Sequence, residues 1–157
     1  MRFLRASETK KILAQLEEQY GIKEIPGTLI QAGDQKLRLF SANMPIEQLT
    51  TLNDLTNIEN MGMYFLREEH DIRLSFDTPH LLKKEITKSI LDISEDEYKI
   101  WIRGNDIPKE GHGTVLVRYN GDFVGSGKLS QGRLINHIPK ERRIRSKIAA
   151  DLVVKKG

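Results

Sequence analysis

The stretch from Gly113 to Arg145, GTVLVRYNGDFVGSGKLSQGRLINHIPKERRIR, is the one around which the rest of the chain is read. Val115 to Tyr119 and Phe123 to Leu129 are two β-type runs separated by Asn120-Gly121-Asp122. An Asn-Gly pair is the choice of a two-residue type I′ turn, because both central positions need a positive φ. A hairpin is therefore expected, with Tyr119 opposite Asp122, Arg118 opposite Phe123, Val117 opposite Val124, Leu116 opposite Gly125 and Thr114 opposite Gly127. In that register Gly125 and Gly127 share a face with Leu116 and Phe123, and two readings stay open. The glycines mark a bulge or barrel corner, or they leave room for another backbone or a flat ligand.

The segment after the hairpin is basic. Between positions 133 and 147, Arg133, Lys140, Arg142, Arg143, Arg145 and Lys147 stand against the single acid Glu141, a local +5 in a chain whose total is +3. Clustered Lys and Arg suit a polyanion whatever its base sequence, and a solvated Arg-rich loop is the alternative.

The string RYNGDFVGSGKLSQGRLINHIPKERR resembles the RNA-binding PUA domain. The closer likeness is to the PUA-like tail of sun-family RNA cytosine-5 methyltransferases and of archaeal stand-alone relatives. It is carried by the R-Y-N-G turn, the G-x-G-K ending the second strand, the G-R-L after it and the I-P-K-E-R-R run. Upstream, Trp101-Ile102-Arg103-Gly104-Asn105-Asp106-Ile107 looks like the W-x-R-G-x-D-x segment that closes the module's first helix. These motifs span Thr87 to Ile144. The resemblance implies a C-terminal PUA-type β pseudo-barrel over 87–157, and with the N-terminal α+β domain read from the residues over 1–86 the expectation is an α+β protein. It also implies RNA lying along Arg103 to Gly113 and Val115 to Tyr119. The candidate RNA contacts are Arg103 and Arg118 on that path, with Lys128, Arg133, His137, Lys140, Arg142, Arg143 and Arg145 added from charge and position. Replacing Arg142 and Arg143 by Ala is expected to weaken RNA binding with little change in Tm.

Composition bounds the alternatives. At 157 residues, 38% hydrophobic and 30% charged, the sequence has the balance of a soluble globular protein. No apolar run is long enough to cross a bilayer and the start lacks a signal-peptide core, so a cytoplasmic location is expected. Zero cysteines exclude disulfides, thiolate metal sites and a cysteine nucleophile. The methyltransferases whose tail it resembles attack the pyrimidine ring with a cysteine, so this chain is not expected to be such an enzyme by itself. His70, His80, His112 and His137 lack metal-ligand spacing, and neither a dinucleotide fingerprint, a P-loop nor a nucleophile elbow is present. The expectation is a non-catalytic, cofactor-free protein binding structured tRNA or rRNA in RNA modification or ribosome biogenesis. Its partners would be an RNA methyltransferase or a pre-ribosomal protein, and no membrane. The alternatives are an adaptor presenting RNA to a separate methyltransferase, and an RNA-modifying enzyme with a deep pocket between its domains.

The first half reads as packing structure. Thr9 to Gly21 has an amphipathic stripe of Ile12, Leu13, Leu16 and Tyr20. Thr28 to Gln31 and Lys36 to Phe40 suggest a hairpin with one wet face, and Pro45 opens a helix running to about Asn57. Gly62 to Leu66 and Ile72 to Phe76 suggest a third strand pair joined by a solvated Arg67 to Asp71 loop. In the second half, Ser89 to Ile93 is a short strand, and Ser94-Glu95-Asp96-Glu97 is a capping box that starts a helix ending near Gly104. Trp101 packs that helix onto the barrel or offers a stacking surface for a base. Arg103 complements the helix dipole or reaches a phosphate.

Overall fold

Helix α1 (Ala6–Tyr20) buries Ile12, Leu16 and Tyr20, the one-sided stripe its spacing predicts. Glu8 anchors its first turn by accepting the Arg5 amide at 3.2 Å and both guanidinium nitrogens of Arg2 at 2.7 Å. Gly21 ends it at φ 79°, a conformation that glycine adopts without strain. The structure is a computed structural model and describes residues 2–40 and 62–144. The helix expected from Pro45 and the candidate Arg145 lie outside the described residues.

Against α1 packs an antiparallel sheet of β1 (Arg2–Phe3), β2 (Thr28–Gln31), β3 (Lys36–Phe40), β4 (Met63–Glu68) and β5 (Ile72–Leu74), in that order. Leu37 and Leu39 of β3 point into the core while Lys36 stays exposed. Arg67 is not in a loop as its charged neighbours suggest: it sits inside β4, paired with Lys36 on one side and Arg73 on the other. The β3–β4 register slips beside Leu37, so Phe65 is an extra residue and both Phe65 and Leu66 are buried. The Phe65 carbonyl then needs donors from outside the β3 ladder. Thr78, fully buried at the start of α2 (Thr78–Leu81), donates its hydroxyl at 2.7 Å and the Ser75 amide donates at 3.0 Å.

The second sheet runs β6 (Ile90–Asp92), β8 (Gly113–Tyr119), β9 (Asp122–Ser130), β10 (Arg133–Asn136), β7 (Ile107–Pro108). Only β6 and β8 are parallel, and α3 (Glu95–Trp101) lies in the crossover between them. Ser94 caps α3 as its sequence predicts: the Glu97 amide donates to the Ser94 hydroxyl at 3.2 Å and the Ser94 amide to the Glu97 carboxylate at 3.0 Å. Helices and sheets together make an α+β protein.

The β8–β9 hairpin keeps the expected register at Tyr119–Asp122 and Arg118–Phe123, then departs from it. Val124 and Gly125 together oppose Val117, so Leu116 meets Ser126 and Val115 meets Gly127. Gly125 takes φ 109°, which marks it as the bulge residue. The shift moves Gly127 off the face expected from an unbroken ladder and under Trp101. A Cβ there would stand 2.8 Å from Trp101 Cη2 and 2.7 Å from the Ile135 carbonyl oxygen. Trp101 is fully buried and its indole N–H donates to the Val124 carbonyl at 2.8 Å, so its role is packing.

Strand β8 is apolar on both faces because it serves two cores. Leu116, with Phe123, joins the core of the first sheet around Leu16, Tyr20 and Phe65, while Val117 joins the core of the second sheet with Trp101, Leu134 and Ile138. Backbone and side-chain bonds reinforce that seam: the Thr87 amide donates to the Tyr20 carbonyl at 2.9 Å and the Ser89 hydroxyl to the Gln19 carbonyl at 2.6 Å.

Gly127→Ala places a methyl where the indole rests. Overpacking of this kind costs about 1–3 kcal/mol, read as a lowered urea midpoint with an unchanged slope.

Candidate nucleic-acid interface

The basic tail is not an open cationic brush. Residues 138–144 fold back over the end of α3, where the Ile144 amide donates to the Ile102 carbonyl at 2.9 Å. Arg143 donates from Nε to the Ile138 carbonyl at 2.9 Å, and its stem lies against Gly104, where φ is 94° and a Cβ would collide with it. Arg143 is thus a latch between tail and helix, and the expectation that replacing Arg142 and Arg143 by Ala changes Tm little is replaced for its Arg143 part. Losing that bond and its packing costs about 1–2 kcal/mol, measurable as a drop in Tm by calorimetry.

Acids distant in sequence take up three more candidates. Arg118 makes a two-pronged pair with Asp92 on the neighbouring parallel strand, at 2.7 and 2.9 Å, and that pair holds the Asp92 carboxyl below its ordinary range. Arg142 pairs with Asp77 at 2.7 Å and lies 5.3 Å from the centre of the Phe76 ring. Arg133 reaches Asp106 at 3.5 Å. The structure therefore corrects the reading of 133–145 as a single free patch: of its described cations, Arg133 and Arg142 are matched by acids and Arg143 is bonded to a backbone carbonyl. Arg103, Lys128 and Lys140 are exposed and have no ion-pair partner among the described residues. Arg103 follows the end of α3, on the path that the family likeness implies for RNA. Lys128 shares one face of the second sheet with Thr114 and Ile135, its partners on either side.

The loop that carries Arg103 is held by one buried amide. Asn136 donates from Nδ2 to the carbonyls of Trp101 at 2.7 Å and Asn105 at 3.1 Å, and its Oδ1 accepts the Ile138 amide at 2.8 Å. Its own backbone amide donates to Asp106 at 2.8 Å. Asn136 thus ties the helix end, the following loop and the tail together.

A second cationic feature is invisible in the linear sequence. Lys36, Arg67 and Arg73 stand directly opposite one another across β3, β4 and β5. They line a cleft of about 440 Å³ at the seam of the two sheets, together with Tyr64, Phe76 and His137. Across the seam, Arg73 reaches the His137 carbonyl at 3.4 Å. Lys36 sits 5.7 Å from the centre of the Tyr64 ring. The only signal along the chain is alternation, Lys36 ahead of buried Leu37 and Arg67 and Arg73 beside buried positions, and the strand register alone aligns the three. Among the described residues no group of three His, Asp or Glu side chains is arranged to hold a metal ion, and no helix is long and apolar enough to cross a membrane.

Burial, with Arg73 and Lys128 nearby, pushes the His137 imidazole down to about 4, against the opposing effect of Glu69 and Asp106. Because the unfolded chain takes up this proton near pH 6.5 and the folded chain only near 4, stability is full above 6.5 and declines as pH falls between them. Tm is expected to fall across that window, and to fall less in His137→Gln, by calorimetry in matched ionic strength.

These observations define a small β module with a helix strapped to it, and that segment of the chain has a match among known families. Residues 88–144, the span from just before β6 to the tail latch, match the family described as the methyltransferase RsmF PUA domain. This segment is a PUA-like domain of the kind found at the tail of sun-family methyltransferases. The ribosomal RNA small subunit methyltransferase F proteins of Vibrio atlanticus (strain LGP32) and Vibrio vulnificus (strain YJ016) are each 39% identical to it over 56 residues. That alignment covers 34% of this chain and 12% of each relative, so the chain spans a small part of their length.

Proposed function

We propose that the protein binds structured RNA, with ribosomal RNA as the target class, and takes part in its modification without carrying the chemical step itself. The observation that carries this reading is the match of residues 88–144 to the RsmF PUA domain. The names of the similar proteins supply ribosomal RNA as the substrate class. The methyl transfer is assigned to a separate methyltransferase, for which this protein supplies a grip on the RNA.

The grip is electrostatic and shape-based. A-form RNA hides its major-groove edges, so recognition of a folded RNA falls to its backbone, its 2′-hydroxyls and its unstacked bases. Arg103, Lys128 and Lys140 are the cations of the module free to meet phosphates, and the Asn136 network holds the Arg103 loop in one conformation beforehand. Arg118, Arg133 and Arg142 contribute less, since each must first leave an acid.

Removing one cation from a phosphate makes the dependence of log K on log salt shallower by about 0.7–0.9. The combined variant Arg103→Ala, Lys128→Ala, Lys140→Ala is expected to flatten that slope by about 2 for a small-subunit rRNA fragment, measured by fluorescence anisotropy. An unchanged slope removes these residues from the interface, and absence of wild-type binding removes the RNA reading.

A further inference from the structure

Like charges set directly opposite across a sheet repel each other, yet Lys36, Arg67 and Arg73 occupy successive rungs of β3, β4 and β5. Among the described residues their counter-charges are few. Glu69 approaches Arg67 at 3.7 Å, Lys36 faces a tyrosine ring, and Arg73 donates to a neutral carbonyl. The two acids of the cleft lining are Asp77, already paired with Arg142 at 2.7 Å, and Glu141. A row of three cations with an incomplete set of acids is stabilised when an anion lies across it.

The remaining walls are not those of a bare anion site. Tyr64 and Phe76 bring aromatic rings to the lining, and the volume of about 440 Å³ falls in the range that holds a small organic ligand. Among the described residues two polar atoms there are buried without a hydrogen-bond partner, His137 Nδ1 and Arg67 Nε, the latter with only the Glu69 carboxylate near it at 3.7 Å. Such atoms carry a desolvation cost that a ligand group can remove. The imidazole is neutral at neutral pH, so it can serve as acceptor or donor to a base edge.

We infer that the seam between the two sheets is a nucleotide site: one unstacked nucleotide of the bound RNA places its phosphate across Lys36, Arg67 and Arg73 and its base against Tyr64 and Phe76, within reach of His137. This rests on the RNA-binding reading above and deepens it. The module alone would grip the backbone, and the first sheet would hold a single base taken out of the stack. Aromatic stacking of a splayed base is the usual way RNA sequence is read, because paired bases hide their edges. The role of the N-terminal sheet then changes from support to half of the binding surface.

The test titrates the whole protein with cytidine 5′-monophosphate, inorganic phosphate and cytidine, followed by amide shifts at positions 64, 67, 73 and 76 and by the His137 ring signals. Saturable binding of the nucleotide is expected, tighter than that of phosphate or cytidine, with the His137 titration moving upward as a phosphate arrives beside it. Lys36→Gln, an exposed side chain whose loss leaves the fold intact, should weaken nucleotide binding about tenfold, as should Arg73→Gln, while Lys10→Gln on α1 leaves it unchanged. Equal affinity for inorganic phosphate, or nucleotide binding that Lys36→Gln does not weaken, overturns the inference. If nucleotide binding is absent while the rRNA fragment still binds, this inference fails alone. If the fragment also fails to bind, the RNA reading fails with it.

Discussion

The seat of the Trp101 ring on the backbone of Gly127 is the contact on which the second half of the molecule depends. The indole is the largest fully buried side chain, and its N–H is spent on the Val124 carbonyl at 2.8 Å. It fits because the bulge at Gly125 turns the next glycine inward, so a one-residue irregularity in β9 makes the notch that the helix needs. With α3 fixed there, β6 is delivered parallel to β8 and the loop after the helix comes within reach of Asn136. Helix position, the parallel β6–β8 pairing and the placement of Arg103 all trace to that notch.

Charge in the second half is organised differently from its appearance along the chain. A run of six cations within fifteen residues suggests one continuous field. Folding brings Asp106 and Asp77 against Arg133 and Arg142 of that run and turns Arg143 into a structural clasp, while Arg118 ahead of it is taken up by Asp92. Among the described residues Arg103, Lys128 and Lys140 remain exposed without an acid partner. Exposed pairs of this kind add little stability, about 0–1 kcal/mol each, but they decide which cations a polyanion meets first.

Legibility follows sequence separation. The Asn120-Gly121 turn, the Ser94–Glu97 cap and the α1 stripe depend on neighbours within a few residues, and each is readable as it stands in the fold. The β8–β9 register is readable only up to Phe123, because nothing in Val124-Gly125-Ser126 says on which residue the ladder slips. Packing of Trp101 is one of two readings, decided by the 0% exposure of its ring. The acid partners of the arginines lie 26 to 65 residues away and follow from topology, as does the alignment of Lys36 with Arg67 and Arg73. Charged residues on strands look like a wetted face until the register says which of them are adjacent.

Leu116 and Phe123 belong to the module by sequence but to the first sheet by burial. Their exposure is at most 3%, and cutting the chain ahead of β6 would turn both toward water. The module is therefore not a cassette that can be moved between proteins unaltered: any host that borrows it has to bring an oily lid for these two positions. Transplanting it should succeed only where the recipient already owns a matching apolar shelf.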